Sequence, residues 1–410
     1  MFVRSLLAVF NNIFGYFKQA ADLGHHNAEY QTGKCYLKGI GTTVDYEKGK
    51  EYGTRAIKYY LSKVEAGENL SGWDWCKLGS AYNSGIFIEQ NLVKARECYE
   101  KSAEQNHAYG QQNLGEYYEF GKGGLAVNYA EALKHYTLAS QQGDLFAYFR
   151  LGELYYFGKG VAEDKIRAAE YYQNAADRGH FEATRKLAQM NRDGDGIPQN
   201  IEKALSLYET GVRQGRPEYL YDLALWYLEG KGVPKDTSKA LDYLNQAAEK
   251  EHIQSLIKLG SIYFNGSYEI ATNYRESLKY YDRATKLGNT DGLGCMGSIY
   301  FRGGDGIEKD YCKALDYWTR SNSAVSLHNI GVIYESGGYG IEQDVSKAAN
   351  YFEKAANAGS TAGMRGLARF YYEGKHFEKD IDKAIELYKK AAAAGDDYAK
   401  VWLSENNIVE

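Results

Sequence analysis

Apolar residues along this chain recur at three- and four-residue steps, and the pattern itself recurs about every 36 residues. The stretch from Leu145 shows one period. Phe146, Phe149, Leu151, Leu154 and Tyr155 fall at helical intervals and predict a first helix of about three turns. Gly158 is expected to close it, because glycine readily takes the left-handed conformation that ends many helices. Asp164 predicts the N-cap of a second helix, which carries Ala168, Tyr171, Tyr172, Ala175 and Ala176 and stops at Gly179.

This punctuation occurs ten times, with closing glycines at Gly39, Gly85, Gly121, Gly158, Gly194, Gly230, Gly266, Gly303, Gly337 and Gly374. A tyrosine stands three residues before each, except that Asn191 precedes Gly194. Six or seven residues after each comes the predicted cap: Asp45, Asn91, Asn128, Asp164, Asn200, Asp236, Asn273, Asp310, Asp344 or Asp380. Small residues such as Gly79, Gly115, Gly152 and Gly260 recur in the first helices, where two helices must approach and large rings can lie over them. One such pair cannot bury its own apolar face, so neighbouring pairs must stack.

The segments RLGELYYFGKGVAEDKIRAAEYYQNAADRG and DLALWYLEGKGVPKDTSKALDYLNQAAEKEH resemble the Sel-one-like repeat (SLR) family, a relative of tetratricopeptide repeats. The resemblance runs from residue 14 to about residue 404. It implies an all-α, right-handed α/α superhelical solenoid of about ten to eleven SLR helix pairs, used mostly to assemble other proteins. The expected organisation is a partial repeat over 1–26, ten repeats over 27–396, and a capping helix with a tail over 397–410. Two steps are irregular: the first is lengthened before Trp73, and the step into the ninth repeat is shortened near Ser321.

Net charge is −5 and the basic residues are scattered, so nothing suggests a nucleic-acid groove. The cysteines Cys35, Cys76, Cys98, Cys295 and Cys312 number five and fall at different repeat positions. No regular disulfide ladder is possible, and a reducing, cytoplasmic compartment is expected. The alternative is an exported or ER-lumenal protein with an upstream signal. Residues 1–10 (MFVRSLLAVF) lack the longer apolar core and the cleavage site of a signal peptide, and Tyr16, Phe17, Ala20, Ala21 and Gly24 just after them occupy the second-helix pattern of an incomplete first repeat. No run of about 20 apolar residues predicts a transmembrane span.

Candidate chemistry is sparse. The GKG triplets have glycine after lysine and follow a helix, so they read as interhelical turns rather than phosphate loops. Ser255 and Lys258 form an SxxK, but the SDN and KTG partners of penicillin-recognising enzymes are absent. His25, His107, His180 and His252 stand at equivalent turns and do not converge on a metal. Asn191, Asp193, Asp195 and Glu202 fit a calcium loop apart from the asparagine at its first place, although Gly194, Gly196 and Asn200 are ordinary repeat residues. No cofactor is expected.

In superhelices of the type the resemblance implies, first helices line the concave face. The positions carried over include Gln112, Glu116 and Glu119, then Phe149, Glu153 and Tyr156. Next come Tyr221, Leu225 and Leu228, then Ile257, Ser261 and Phe264, and finally Ser298 and Phe301. Phe149, Tyr156, Tyr221, Leu225, Ile257, Phe264 and Phe301 are therefore the expected partner-binding residues, since an apolar patch on a solenoid marks a binding surface. The expected function is a non-enzymatic scaffold or adaptor for a protein or peptide. The alternatives are a hydrolase acting on cell-wall or β-lactam substrates, which family association alone suggests, and a calcium-regulated binding module.

Overall fold

The computed structural model describes residues 2–338 and 340–408, with side chains from residue 12 onward, and every predicted stop and start is met by the backbone. Gly158 takes φ 64°, and its N–H bonds to the Leu154 carbonyl to close the first helix of that pair. Asp164 is extended, and its carboxylate accepts the Arg167 N–H at 2.9 Å. All ten predicted caps make the equivalent side-chain bond.

A second bond explains the spacing. The backbone N–H of each cap donates to the carbonyl three residues before the closing glycine, at 2.7–3.0 Å, as from Asp164 to Tyr155. That carbonyl lies in the last turn, where no intrahelical partner exists. The role belongs to the backbone, so Asn191 serves in place of tyrosine: its carbonyl accepts the Asn200 N–H at 2.7 Å. Loops with one additional residue make the same bond, as from Asn128 to Tyr118.

Twenty-two helices occur among the described residues, in two compact units. In the first, Met1–Gly211, α1 (Phe2–Asp22) precedes the pairs α2 (His26–Lys38) with α3 (Tyr46–Glu65) and α4 (Gly72–Ser84) with α5 (Leu92–Glu104). There follow α6 (Ala108–Phe120) with α7 (Tyr129–Gln141), α8 (Leu145–Phe157) with α9 (Lys165–Ala176), and α10 (Phe181–Asp193) with α11 (Ile201–Arg213), in whose last turn the division falls. The second unit, Val212–Glu410, pairs α12 (Pro217–Glu229) with α13 (Thr237–Glu249), α14 (Ile253–Asn265) with α15 (Tyr274–Lys286), and α16 (Leu293–Arg302) with α17 (Tyr311–Ser321). Its remaining helices are α18 (Ala324–Ser336) with α19 (Val345–Asn357), α20 (Thr361–Glu373) with α21 (Ile381–Ala393), and a last helix, α22 (Asp397–Glu405).

Each pair is antiparallel. The cap that opens α9 bonds to the end of α8, while His180, just past α9, stacks on Phe149 near the start of α8 at 5.0 Å. Between them Tyr172, fully buried, lies against Gly152, where an added Cβ would meet its ring at 2.5 Å. The same contact joins Gly79 to Tyr99, Gly115 to Tyr136, Gly260 to Tyr281, Gly297 to Trp318 and Gly331 to Phe352. Each such ring, fully buried, contributes about 2–3 kcal/mol of apolar burial. The irregular steps are absorbed in the second helices: α3 runs for 20 residues and α17 for 11, ended by Asn322 at φ 47°. Of residues 1–10, Met1 and every side chain lie outside the described residues, and the backbone is helical from Phe2.

Candidate functional site

Within each unit the expected partner-binding residues lie on the first helices, or at their last turn, and all are half-buried. In the first unit, Phe149 is half-buried between His180 and the Tyr172 ring, 5.9 Å away. The Tyr156 hydroxyl donates to Asp195, which Lys165 also holds at 2.6 Å. That bond raises the Tyr156 pKa, and the Lys165 ammonium holds the Asp195 carboxyl below its ordinary range.

In the second unit, Tyr221 is half-buried beside His252, with ring centroids 5.3 Å apart. Leu225 and Ile257 are half-buried against the cluster built on Leu256, Leu259 and Ile262. Phe264 rests on Tyr274 at 5.8 Å, and it borders a cavity of about 620 Å³ with Ser298, Arg302 and Asn329. Phe301 lies between Tyr311 and Trp318, at 4.9 and 5.5 Å. All seven residues are half-buried, packed against their own pair or, as for Tyr156 and Leu225, against the next one.

Three carried-over positions differ from expectation. Gln112, Glu119 and Leu228 are buried rather than presented. Glu119 is held by residues from two later helices: Tyr136 donates to its Oε2 at 2.9 Å, and Arg150 closes an ion pair on both oxygens, with Nε at 3.0 Å. Glu116 pairs with Lys122 at 2.6 Å, and Glu153 accepts the Tyr172 hydroxyl at 2.6 Å.

The calcium-loop candidates do not converge. Asn191 is buried, and its amide donates back to the Leu187 carbonyl at 2.8 Å. Asp193 pairs with Arg192 at 2.7 Å, Asp195 is engaged by Lys165, and Glu202 stands exposed in the first turn of α11. Among the described residues no group of three or more His, Cys, Asp or Glu is placed to hold a metal. The SxxK pair does not meet either. Ser255 is fully buried with its hydroxyl 2.9 Å from His252 Nδ1, while the Lys258 ammonium reaches the Tyr268 hydroxyl at 3.2 Å.

Cys76 Sγ lies 3.0 Å from Ser102 Oγ and 3.6 Å from His107 Nδ1. Burial pushes this thiol up to about 11 and lowers the His107 pKa, so neither group is poised as a thiolate–imidazolium pair.

Other groups were not singled out by sequence reasoning. Phe120 and Phe157, the last residues of α6 and α8, are about half exposed (53% and 50%) beneath the cations of Lys122 and Lys159. Trp73 on α4 and Tyr109 on α6 are exposed and meet edge to face, with ring centroids 6.1 Å apart. With Lys34, Lys77, Gln31 and Ser80 they line a cavity of about 150 Å³. In the second unit Arg365 and Arg369 line another, of about 470 Å³. The sequence signal for Phe120 and Phe157 was their shared register, five residues after the small residue of each first helix.

The chain matches the Sel1 repeat over residues 14–25, 26–60, 76–107, 108–144, 145–180, 181–215, 217–252, 253–289, 293–323, 324–360 and 361–396. It belongs to the Sel1 repeat family. A protective antigen of uropathogenic Escherichia coli strains, which displays an SLR fold, is 29% identical over 96% of this chain and 82% of that one, with a TM-score of 0.54. A Sel1 repeat protein from Oxalobacter formigenes is 24% identical over 75% of this chain and 89% of that one, with a TM-score of 0.56. No curated protein matches the chain. The Sel1 repeats here form an all-α tandem scaffold of the kind used as protein-interaction modules. No helix among the described residues is long and apolar enough to cross a membrane.

Proposed function

We propose that this Sel1 repeat protein is a non-enzymatic adaptor that captures a segment of a partner protein along its first helices. The observation that carries the reading is a set of half-buried apolar side chains on the first helices of each unit: Phe149 and Tyr156 in the first, and Tyr221, Leu225, Ile257, Phe264 and Phe301 in the second. Half-buried side chains held by their neighbours are already ordered, so little conformational entropy is lost when a partner covers their exposed part. The five free cysteines suit a reducing, cytoplasmic compartment.

Affinity capture from the source organism's lysate, with wild type and the Phe149→Ser/Tyr221→Ser variant compared quantitatively, tests the reading. Capture should fall more than about tenfold, equivalent to about 1.4 kcal/mol, while the helical signal is retained. Full capture by the folded variant, with loss on reversing charges of the second helices, would contradict it. A parallel nitrocefin assay should show no turnover, whereas turnover would favour the β-lactam hydrolase.

A further inference from the structure

The cavity walled by Trp73 and Tyr109 is built from three consecutive repeats, contributing Gln31 and Lys34 from α2, Lys77 and Ser80 from α4, and Tyr109 from α6. Its two ammonium groups differ. Lys77 is 4% exposed and pairs with Asp74 at 3.1 Å, and it lies over the Trp73 ring at 5.3 Å. Lys34, half-buried, lies over the Tyr30 ring at 5.7 Å. No carboxylate among the described residues pairs with it, and the charged or ionisable groups acting on it are Lys38 and Cys35. Burial accordingly lowers its pKa from the ordinary lysine value.

One ammonium without a counter-ion, beside an amide, a hydroxyl and aromatic walls, is the complement of a single negative charge carried on a short apolar stem. A volume of about 150 Å³ admits one acidic side chain with its methylenes. With Lys77 neutralised by Asp74, the uncompensated charge of the lining is +1, which matches a carboxylate rather than a doubly charged phosphate. The half-buried setting strengthens such a pair relative to water.

We propose that this cavity receives a carboxylate side chain, aspartate or glutamate, of the captured segment. Lys34 forms the ion pair, Gln31 and Ser80 supply hydrogen bonds, and the stem packs against the wall that Trp73 and Tyr109 make together. The inference rests on the adaptor reading and names one chemical feature of its partner.

The test follows the Trp73 indole N–H resonance in the ¹⁵N-labelled full chain, assigned with Trp73→Phe. The tripeptide N-acetyl-Gly-Glu-Gly-amide should shift it saturably, and the Gln tripeptide should need at least about tenfold higher concentration. Lys34→Met should abolish that preference and Lys34→Arg should retain it. Lys34→Met removes a half-buried charge that has no counter-ion, so it should melt no lower than wild type, and Lys34→Gln provides a second neutral variant. Equal response to both peptides, a preference that survives Lys34→Met, or inorganic phosphate acting at lower concentration than the Glu peptide would each overturn the proposal. The titration uses no natural partner, so a failure of lysate capture leaves its result standing. A flat titration removes the pocket and leaves capture by other first helices untouched.

Discussion

Gly152 and Tyr172 show how single residues set the distance between paired helices. A Cβ at Gly152 would meet the Tyr172 ring at 2.5 Å, and that ring is fully buried with its hydroxyl bonded to Glu153. Gly152→Ala should therefore destabilise by about 1–3 kcal/mol through overpacking, read as a lower midpoint in chemical denaturation. An unchanged midpoint would show that α8 and α9 can separate at little cost. Glu119 supports a second expectation. Glu119→Ala leaves Arg150, with 16% of its side chain exposed, without its carboxylate, so the loss should reach about 3 kcal/mol. Replacing Glu119 and Arg150 together by apolar residues should cost clearly less than the single change, which a double-mutant cycle would measure.

The unit of construction is the helix pair closed by two bonds at one cap, and its pH response follows from the cap chemistry. Backbone N–H groups and nearby lysines hold Asp45, Asp310 and Asp344 below the ordinary value of 3.8. A depressed carboxylate favours the folded state above the unfolded pKa, and that contribution is lost as pH falls through the lower folded value. The cap contribution to the thermal midpoint should be flat above about pH 5 and fall below about pH 4. It lies beneath an earlier decline that starts near about pH 6.5, where His107, His135, His180 and His328, whose pKa values burial lowers, protonate in the unfolded chain first. The Asp45→Asn/Asp310→Asn/Asp344→Asn variant should show a shallower fall, because asparagine already caps at Asn91, Asn128, Asn200 and Asn273 without titrating.

Caps, closing glycines and ring-on-glycine packing were legible in the sequence because each depends on residues a fixed distance apart within one pair. The site was less legible. Register shows which face of its own helix a side chain occupies, but not what the next pair brings against it. Glu119 reads as a groove residue until Arg150, 31 positions later, covers it. Lys34, Trp73 and Tyr109 come from three repeats, and the lengthened α3 shifts the register between the first two. Asn191 breaks the tyrosine pattern only in its side chain, whereas the cap bond needs just its carbonyl.

At the scale of the whole molecule, the scaffold uses repetition for stability and departs from it where side chains are presented. Phe120 and Phe157 end their first helices half exposed, each under a lysine of its own turn and a cation of the next pair, Arg150 and Lys186. Their removal should change folding stability by no more than about 0.5 kcal/mol, as for other surface positions. The most direct test of the adaptor account is the dissociation constant of a captured partner, measured by calorimetry for wild type and for Phe149→Ser/Tyr221→Ser, with Phe120→Ser/Phe157→Ser beside it. The account predicts affinity at least about tenfold weaker for folded Phe149→Ser/Tyr221→Ser. Wild-type affinity in both folded variants would contradict it, because the partner would then be held somewhere other than the first helices.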